Sequence, residues 1–314
     1  MDILGFIKNR ACTVGVDMGD DALKMVCVSS NGNGVKLVAG GSKTRPENIK
    51  AGSVSWQRWA IEAIKKLADS TKLRNKQVTV AIPASEVFID HLKMPKGNSG
   101  DRMEDLLFSK IKHKLPFEAS DAMIKYIPTE DDNVMVIATD REKIDRHLAI
   151  YEQANLRVKS IAVWPAALVN SYVNFFGRRK SDEEAVVMLL DIESNYSNVV
   201  LCRYKNLLFA RTIPIGSKQL VGDEPIKRLV MELSGCRRQF SSIYKRMEPE
   251  RLIFLSGQTV DREVCAQIAK LCEMPAQVGD CLAAVELDGC RNGVEIDRRR
   301  CQVNWATALG LSLS

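Results

Sequence analysis

One segment of this chain occurs twice, and that duplication restricts its fold more than any other feature of the sequence. Thr13-Val14-Gly15-Val16-Asp17-Met18-Gly19 leads into Leu23-Lys24-Met25-Val26-Cys27-Val28. Val187-Met188-Leu189-Leu190-Asp191-Ile192-Glu193 leads into Asn198-Val199-Val200-Leu201-Cys202. The offset is 174 residues at 17 and 191, at 19 and 193, and at 26 and 200. Each copy reads as an apolar strand ending in Asp, a short polar turn, a second apolar strand and a third strand. The third strands are Val35-Lys36-Leu37-Val38 and Leu207-Leu208-Phe209-Ala210. Two such copies predict two similarly folded halves that face each other across a cleft, with an Asp at each lip. The lips differ, because Glu193 stands where the first copy has Gly19.

A chain of 314 residues holds one large or two medium domains with ample core. At 46% hydrophobic and 27% charged, it has the composition of a soluble globular protein. No apolar run reaches the roughly 18 residues of a membrane span. Met1-Asp2-Ile3-Leu4-Gly5-Phe6-Ile7-Lys8 is too soon interrupted by charge to be a secretory signal, and reads as a terminus or a small amphipathic contact. The net charge of +6 is spread out. Neither Arg178-Arg179-Lys180 nor Arg298-Arg299-Arg300 is interleaved with the aromatics of a nucleic-acid groove, so no nucleic-acid partner is expected. Six of the nine cysteines fall between Cys236 and Cys301, with no C-x-x-C pair and no nearby His, which argues against a metal site. Most of the cysteines sit in apolar settings and read as small core residues, and a reducing cytoplasm fits best.

Along the first half, helical spacing runs from Val54 to Ala68, and Val78–Ile82 is a strand stopped by Pro83. Val87–Leu92 alternates as a half-buried strand. Asp101 starts a helix to about Lys114 that carries Met103, Leu106, Leu107 and Ile111 on one face. Strands Met123–Ile127 and Val134–Ala138 follow, then a helix from Asp140 to about Asn155, a strand Val158–Val163 and a helix opened by Pro165. The patternless stretch Gly177–Glu184 is the boundary between the halves. After the second set of strands come a helix Pro225–Met247, strand Leu252–Leu255, helix Val260–Cys272, a mostly irregular stretch and a closing helix around Trp305–Leu311. The expected fold is therefore α/β, with a mixed sheet in each half. The first half spans residues 1–180 with an insertion at about 84–160, and the second spans 185–314.

Several strings in this order resemble the actin-like ATPase superfamily and, within it, the PilM family of type IV pilus assembly. They are Gly15-Val16-Asp17-Met18-Gly19 with Lys24, Lys114-Leu115-Pro116-Phe117, Asn155-Leu156-Arg157 and Val163-Trp164-Pro165-Ala166-Ala167-Leu168. Leu255-Ser256-Gly257 and Ala306-Thr307-Ala308-Leu309-Gly310-Leu311 complete the set. The resemblance implies an RNase H-like duplication in which the two Asp-ending turns clasp nucleotide phosphates and Mg²⁺. The residues it maps to that site are Asp17, Gly19 and Lys24, Asp191, and Ser256 with Gly257.

The departures matter more. Asp20 and Asp21 follow Gly19 where relatives carry Ser, Glu193 replaces a second Gly, and Gln258 replaces a further Gly beside the adenosine. Trp164 stands where relatives carry an acidic residue. Phosphate motifs need Gly or small hydroxyl residues so that backbone N–H groups can approach the oxygens. A carboxylate about 4 Å from a phosphate charge costs about 4 kcal/mol at an effective dielectric near 20, so two or three would cancel the roughly 8 kcal/mol of micromolar binding. Only one long helix fits between the second repeat and Leu252, where relatives have a larger subdomain that grips adenine.

The resulting expectation is a scaffold with no catalytic residue and no ATP hydrolysis, whose Lys24 pairs with Asp20, Asp21 or Glu193. It would sit at the cytoplasmic face of a bacterial inner membrane and bind the N-terminal tail of a PilN-like membrane protein. It would thereby link that protein to the pilus assembly ATPase, or serve the related type II secretion system. The resemblance places the tail in a groove beside the insertion, for which the apolar candidates are Val87, Phe88, Ile89, Met103, Leu106 and Leu107. The alternative is an ATP- and Mg²⁺-binding relative whose nucleotide state controls the same partner. A sugar kinase has less support, since no catalytic Asp in a Gly-rich loop is visible.

Overall fold

Both copies of the duplicated segment fold into antiparallel three-stranded units, whose near-continuous apolar first strands are buried on two faces at once. The computed structural model describes residues 13–30, 34–94, 101–287, 296 and 303–314. In the first half, β1 (Val14–Met18), β2 (Ala22–Ser30) and β3 (Val35–Thr44) run antiparallel in sequence order. Helix α1 (Val54–Ser70) begins where the Ser53 hydroxyl accepts from the Trp56 N–H. It buries Trp56, Ala60, Ile64 and Leu67, one stripe at helical spacing, and leads to β4 (Gln77–Ala81), parallel to β1.

The insertion follows as β5 (Phe88–Lys93), α2 (Asp101–Ile111), β6 (Ala122–Pro128) and β7 (Asn133–Asp140), a separate sheet in the order β5-β7-β6. It ends earlier than the sequence suggests. Helix α3 (Arg141–Gln153), capped by Asp140, buries Ile150 and Tyr151 in the same core as α1, and β8 (Arg157–Ala162) pairs parallel with β4. Residues 141–162 thus complete the first half, and the insertion spans only about 84–140. Its root is fixed by Arg146, which donates to both carboxylate oxygens of Glu86 at 2.9 Å.

Helix α4 (Trp164–Phe175) crosses to the second half. There β9 (Val186–Ile192), β10 (Ser197–Arg203) and β11 (Asn206–Ile213) repeat the first unit, followed by α5 (Asp223–Ile243), β12 (Arg251–Phe254), α6 (Arg262–Cys272) and β13 (Ala276–Val278). The sheet order is β11-β10-β9-β12-β13. After α7 (Cys281–Ala284) the chain returns to the first half. Strand β14 (Glu286–Leu287) pairs with β3, and α8 (Ala306–Ser312) lies between β1 and α4. The expected second half, 185–314, therefore loses its last residues to the first. Two glycines allow this approach: a Cβ on Gly15 would meet the Ala308 carbonyl oxygen, and one on Gly310 would meet that of Ala167.

One central cluster joins all three parts. It contains Val26 and Leu37 of the first half, Met135 and Ile137 of the insertion, Leu168 and Tyr172 of α4, and Leu189 and Val200 of the second half. Along β7 the alternate residues Val134, Val136 and Ala138 face the other way, into the insertion's own core under α2. Of the described cysteines, Cys202, Cys236, Cys265, Cys272 and Cys281 are free and buried. Cys27 is disulfide-bonded, which the reducing compartment expected from the sequence does not favour.

Candidate functional site

The duplicated turns meet across the cleft, and the registers of the two strand pairs decide what each acid touches. On the first lip Asp17 lies opposite Lys24, and on the second Asp191 lies opposite Asn198. Both cross-strand pairs are made by side chains. The Lys24 Nζ reaches Asp17 Oδ2 at 2.6 Å, and Asn198 Nδ2 donates to Asp191 Oδ2 at 3.1 Å. Lys24 is only 2% exposed, and its Nζ also lies 3.8 Å from Glu193 Oε1, in the other half. Gly19 leaves the space this requires, since a Cβ there would sit 3.2 Å from that Nζ.

More links cross the cleft at its rim. Asn195 donates to Asp20 Oδ2 at 2.7 Å, and Lys218 reaches Asp21 Oδ1 at 2.9 Å. Of the partners expected for Lys24, the structure selects Glu193, adds Asp17 and gives Asp21 to Lys218. Sequence reading missed Asn304. Its amide donates to Asp191 Oδ1 and, at 3.2 Å, to Glu193 Oε1, while its own oxygen accepts from Ala306 N at the start of α8. A lone Asn in a polar stretch carries no motif, and no spacing rule would have found it.

Three carboxyl groups thus face one ammonium. Burial works against the charge of Lys24, but Asp17, Glu193 and Asp191 together hold its pKa above the ordinary value. Burial pushes the Glu193 carboxyl up to about 8, with Asp191 and Asp17 adding to the rise and Lys24 opposing it. Asp191 is likewise raised by burial, against the hydrogen bonds from Asn198 and Asn304 and the attraction of Lys24. Like charges this close in a poorly solvated site repel, so Glu193 and Asp191 hold their protons to higher pH than an ordinary carboxyl does.

Two cavities lie along the cleft. One, of about 260 Å³, is lined by Lys24, Glu193, Lys218 and Asn304 among others. The other, of about 10 Å³ beside Ser256 and Gly257, has room for no more than about one water. Gly257 adopts φ +60°, as a tight turn requires, and Gln258 closes that turn by donating to Asp280 Oδ2 at 3.3 Å. The buried Ser256 hydroxyl accepts from Ile192 N at 2.6 Å, which ties the end of β9 to the turn after β12. Trp164 is 2% exposed and belongs to the central cluster.

The six groove candidates of the insertion do not line one surface. Val87 and Ile89 pack against the central cluster, and Phe88 and Met103 against the insertion's own core. Leu106 is half-buried, and Leu107 is fully buried. The open grooves lie at the insertion's edges. One of about 470 Å³ is lined by Ile127, Pro128, Val169 and Leu207, and another of the same size by His91, Lys93, Lys245 and Arg246. Between them the insertion is fastened to the second half. His91 Nε2 accepts from Ala210 N at 3.2 Å, and the Tyr244 hydroxyl meets Thr129 Oγ1 at 2.7 Å. Burial holds the His91 imidazole down to about 4, so it stays neutral and can accept that bond.

Two matching strand units, an acid at each lip and a helix crossing between the halves define the actin-like ATPase fold. Solved structures share it. The structure of a PilM-PilN type IV pilus biogenesis complex aligns with a TM-score of 0.77 at 21% identity, covering 97% of this chain and 98% of that one. The cytoplasmic domain of EpsL, an inner membrane component of the type II secretion system of Vibrio cholerae, aligns at 0.50 with 12% identity, over 82% and 93% of the two chains. An actin-like ATPase-fold protein of unknown function from Bacteroides thetaiotaomicron aligns at 0.51 with 9% identity, over 91% and 96%. The chain belongs to the PilM family of type IV pilus assembly proteins, whose model matches residues 15–231.

Proposed function

We propose that this protein is a scaffold of type IV pilus assembly that binds the N-terminal cytoplasmic tail of a PilN-like inner-membrane protein and does not hydrolyse ATP. The observation that carries the reading is the family match over residues 15–231, which takes in the whole insertion as well as both lips. Among the described residues no helix is long and apolar enough to cross a membrane. In this reading attachment to the inner face of the membrane comes through the partner, and a link onward to the assembly ATPase is part of the same proposal.

The absence of hydrolysis rests on fit. A nucleotide with Mg²⁺ needs free carboxylate oxygens for the metal, a free ammonium for the phosphates and a slot for the adenosine. Here both Asp191 oxygens already accept amide hydrogen bonds, and Lys24 is held by Asp17. The slot beside Gly257 measures about 10 Å³. The test is calorimetric titration of the full chain with a synthetic tail peptide, with and without Mg²⁺-ATP. Micromolar binding that ATP leaves unchanged is expected, about 8 kcal/mol. No binding would end the partner assignment. A tenfold or larger change with ATP would replace the scaffold by the nucleotide-regulated alternative.

A further inference from the structure

We propose that Lys24 and Asn304 form a built-in plug of the cleft. Two nitrogen groups of the chain itself engage the carboxyl groups of both halves at which a divalent cation and its phosphate would be held, and so the cleft stays closed with no ligand. The inference rests on the reading that this cleft does not work as an ATPase, and is independent of the tail partner.

The geometry points to it in three ways. First, the ammonium of Lys24 comes from β2 of the first half, yet it lies between Asp17 of its own half and Glu193 of the other. Second, Asn304 belongs to the segment that returns to the first half before α8, yet its amide nitrogen bonds two acids of the second half, Asp191 and Glu193. Its oxygen is fixed by Ala306 N at 3.0 Å, so the amide cannot turn without giving up bonds at both ends. Third, Val303 and Asn304 line both cavities of the cleft, the larger one at the lips and the small one beside Ser256 and Gly257. The segment therefore stands between the two places where the ends of a nucleotide would have to lie. Asn304 is 6% exposed and Lys24 2%, so bulk solvent competes little for either nitrogen.

A working cleft of this fold has carboxylates waiting for a metal. In this one the donors are covalently attached, so their local concentration is fixed and no ligand is needed to hold the halves together. A cation entering at Asp191 and Glu193 would have to displace the Asn304 amide and bring a second positive charge beside the Lys24 ammonium, which is costly in a buried site.

Hydrogen exchange read by mass spectrometry on the full chain tests this. In the wild type, amides of the lips (residues 193–198) and of the adjoining segment 215–219 should exchange at the same rate with and without millimolar Mg²⁺-ATP. In Asn304→Ala they should exchange at least about tenfold faster, while amides of α1 and β4 keep their wild-type protection. Lys218→Ala, which removes an exposed link at the rim, should change the lips less than about twofold. Unchanged lips in Asn304→Ala would overturn the plug, as would wild-type lips that Mg²⁺-ATP protects further. Should Asn304→Ala loosen the whole molecule, the wild-type comparison with and without Mg²⁺-ATP decides by itself. Failure to bind the tail peptide would sink the partner reading and leave the plug standing.

Discussion

The two lips share one backbone register and differ in one kind of side chain. Asp17 faces Lys24 across the first strand pair, and Asp191 faces Asn198 across the second, at matching positions of the duplication. The first acid thus meets a charge and the second a neutral amide. An exact repeat would have given two ammonium groups for two acids. Instead a third acid, Glu193, has entered from the second copy, and a single lysine serves both halves. Duplication sets where the groups stand, and single substitutions set what they can bind.

The largest expected effect concerns a different matched pair, Gly15 and Leu189. Leu189 is fully buried in the central cluster, where nothing forbids a side chain. Gly15 has α8 pressed against it, and a Cβ would strike the Ala308 carbonyl oxygen. Backbone on both sides leaves no flexible group to move. Gly15→Ala should cost more than the roughly 1–3 kcal/mol of ordinary overpacking, and little folded protein should be recovered. A variant with wild-type urea midpoint would show that α8 does not hold this position in solution.

Lys24→Met and Asn198→Ala come next, as the direct comparison of the lips. Removing Lys24 strands Asp17 beside Asp191 and Glu193, and breaking a buried pair in this way costs about 3–5 kcal/mol. Removing the Asn198 amide deprives Asp191 of one of two donors, and Thr212 of an acceptor at 3.1 Å, at a cost of about 1–3 kcal/mol. Both are read from urea unfolding curves at neutral pH. Equal losses would mean that charge is not what separates the two copies.

Much of this was legible in the sequence, and the remainder was not for specific reasons. Strand periodicity and the repeated Asp gave both halves and placed Asp17 against Asp191, because alternation and register are local properties. The return of α8 to the first half was missed, since the decisive contacts of Gly15 and Gly310 are with residues far along the chain. The end of the insertion was misplaced for a similar reason. Ile150 and Tyr151 have ordinary helical spacing, and only the fold shows that they share a core with α1. In the site, Lys24 was found because it matches a motif, and Asn304 was overlooked because it matches none. The groove candidates were apolar residues on correctly located elements, but which side of a sheet becomes core depends on what packs there.

Glu193→Gln should have a smaller effect, and one that changes with pH. The folded protein holds the Glu193 proton up to about 8, against an ordinary value of 4.5. Below pH 4.5 the carboxyl is neutral in folded and unfolded chains alike, and its ionisation contributes nothing. Between 4.5 and 8 the unfolded chain gives up the proton and the folded chain keeps it, so wild-type stability falls as pH rises, and above 8 the loss levels off. Glutamine has no proton to lose. The variant should therefore gain on the wild type across that window, by about 2 kcal/mol or more at the alkaline end, each pKa unit being worth about 1.4 kcal/mol. Thermal unfolding of both proteins from pH 4 to pH 9 is the check. Parallel curves would mean that Glu193 ionises freely, and then its attraction to Lys24 would outweigh the repulsion from Asp191.

The smallest effect is expected at the rim. Lys218 and Asp21 are 58% and 34% exposed at their side chains, and Arg45 at 3.8 Å remains near Asp21 when Lys218 is removed. Exposed pairs of this kind contribute about 0–1 kcal/mol, because water screens the charges and two long side chains must be ordered. Lys218→Ala should lower stability by no more than about 0.5 kcal/mol at low salt, and by nothing measurable in molar salt. The losses from Lys24→Met should persist in that same salt, because ions do not reach a side chain that is 2% exposed. If salt removed both effects equally, the Lys24 ammonium would have to be in contact with water, and the cleft would then be open in solution.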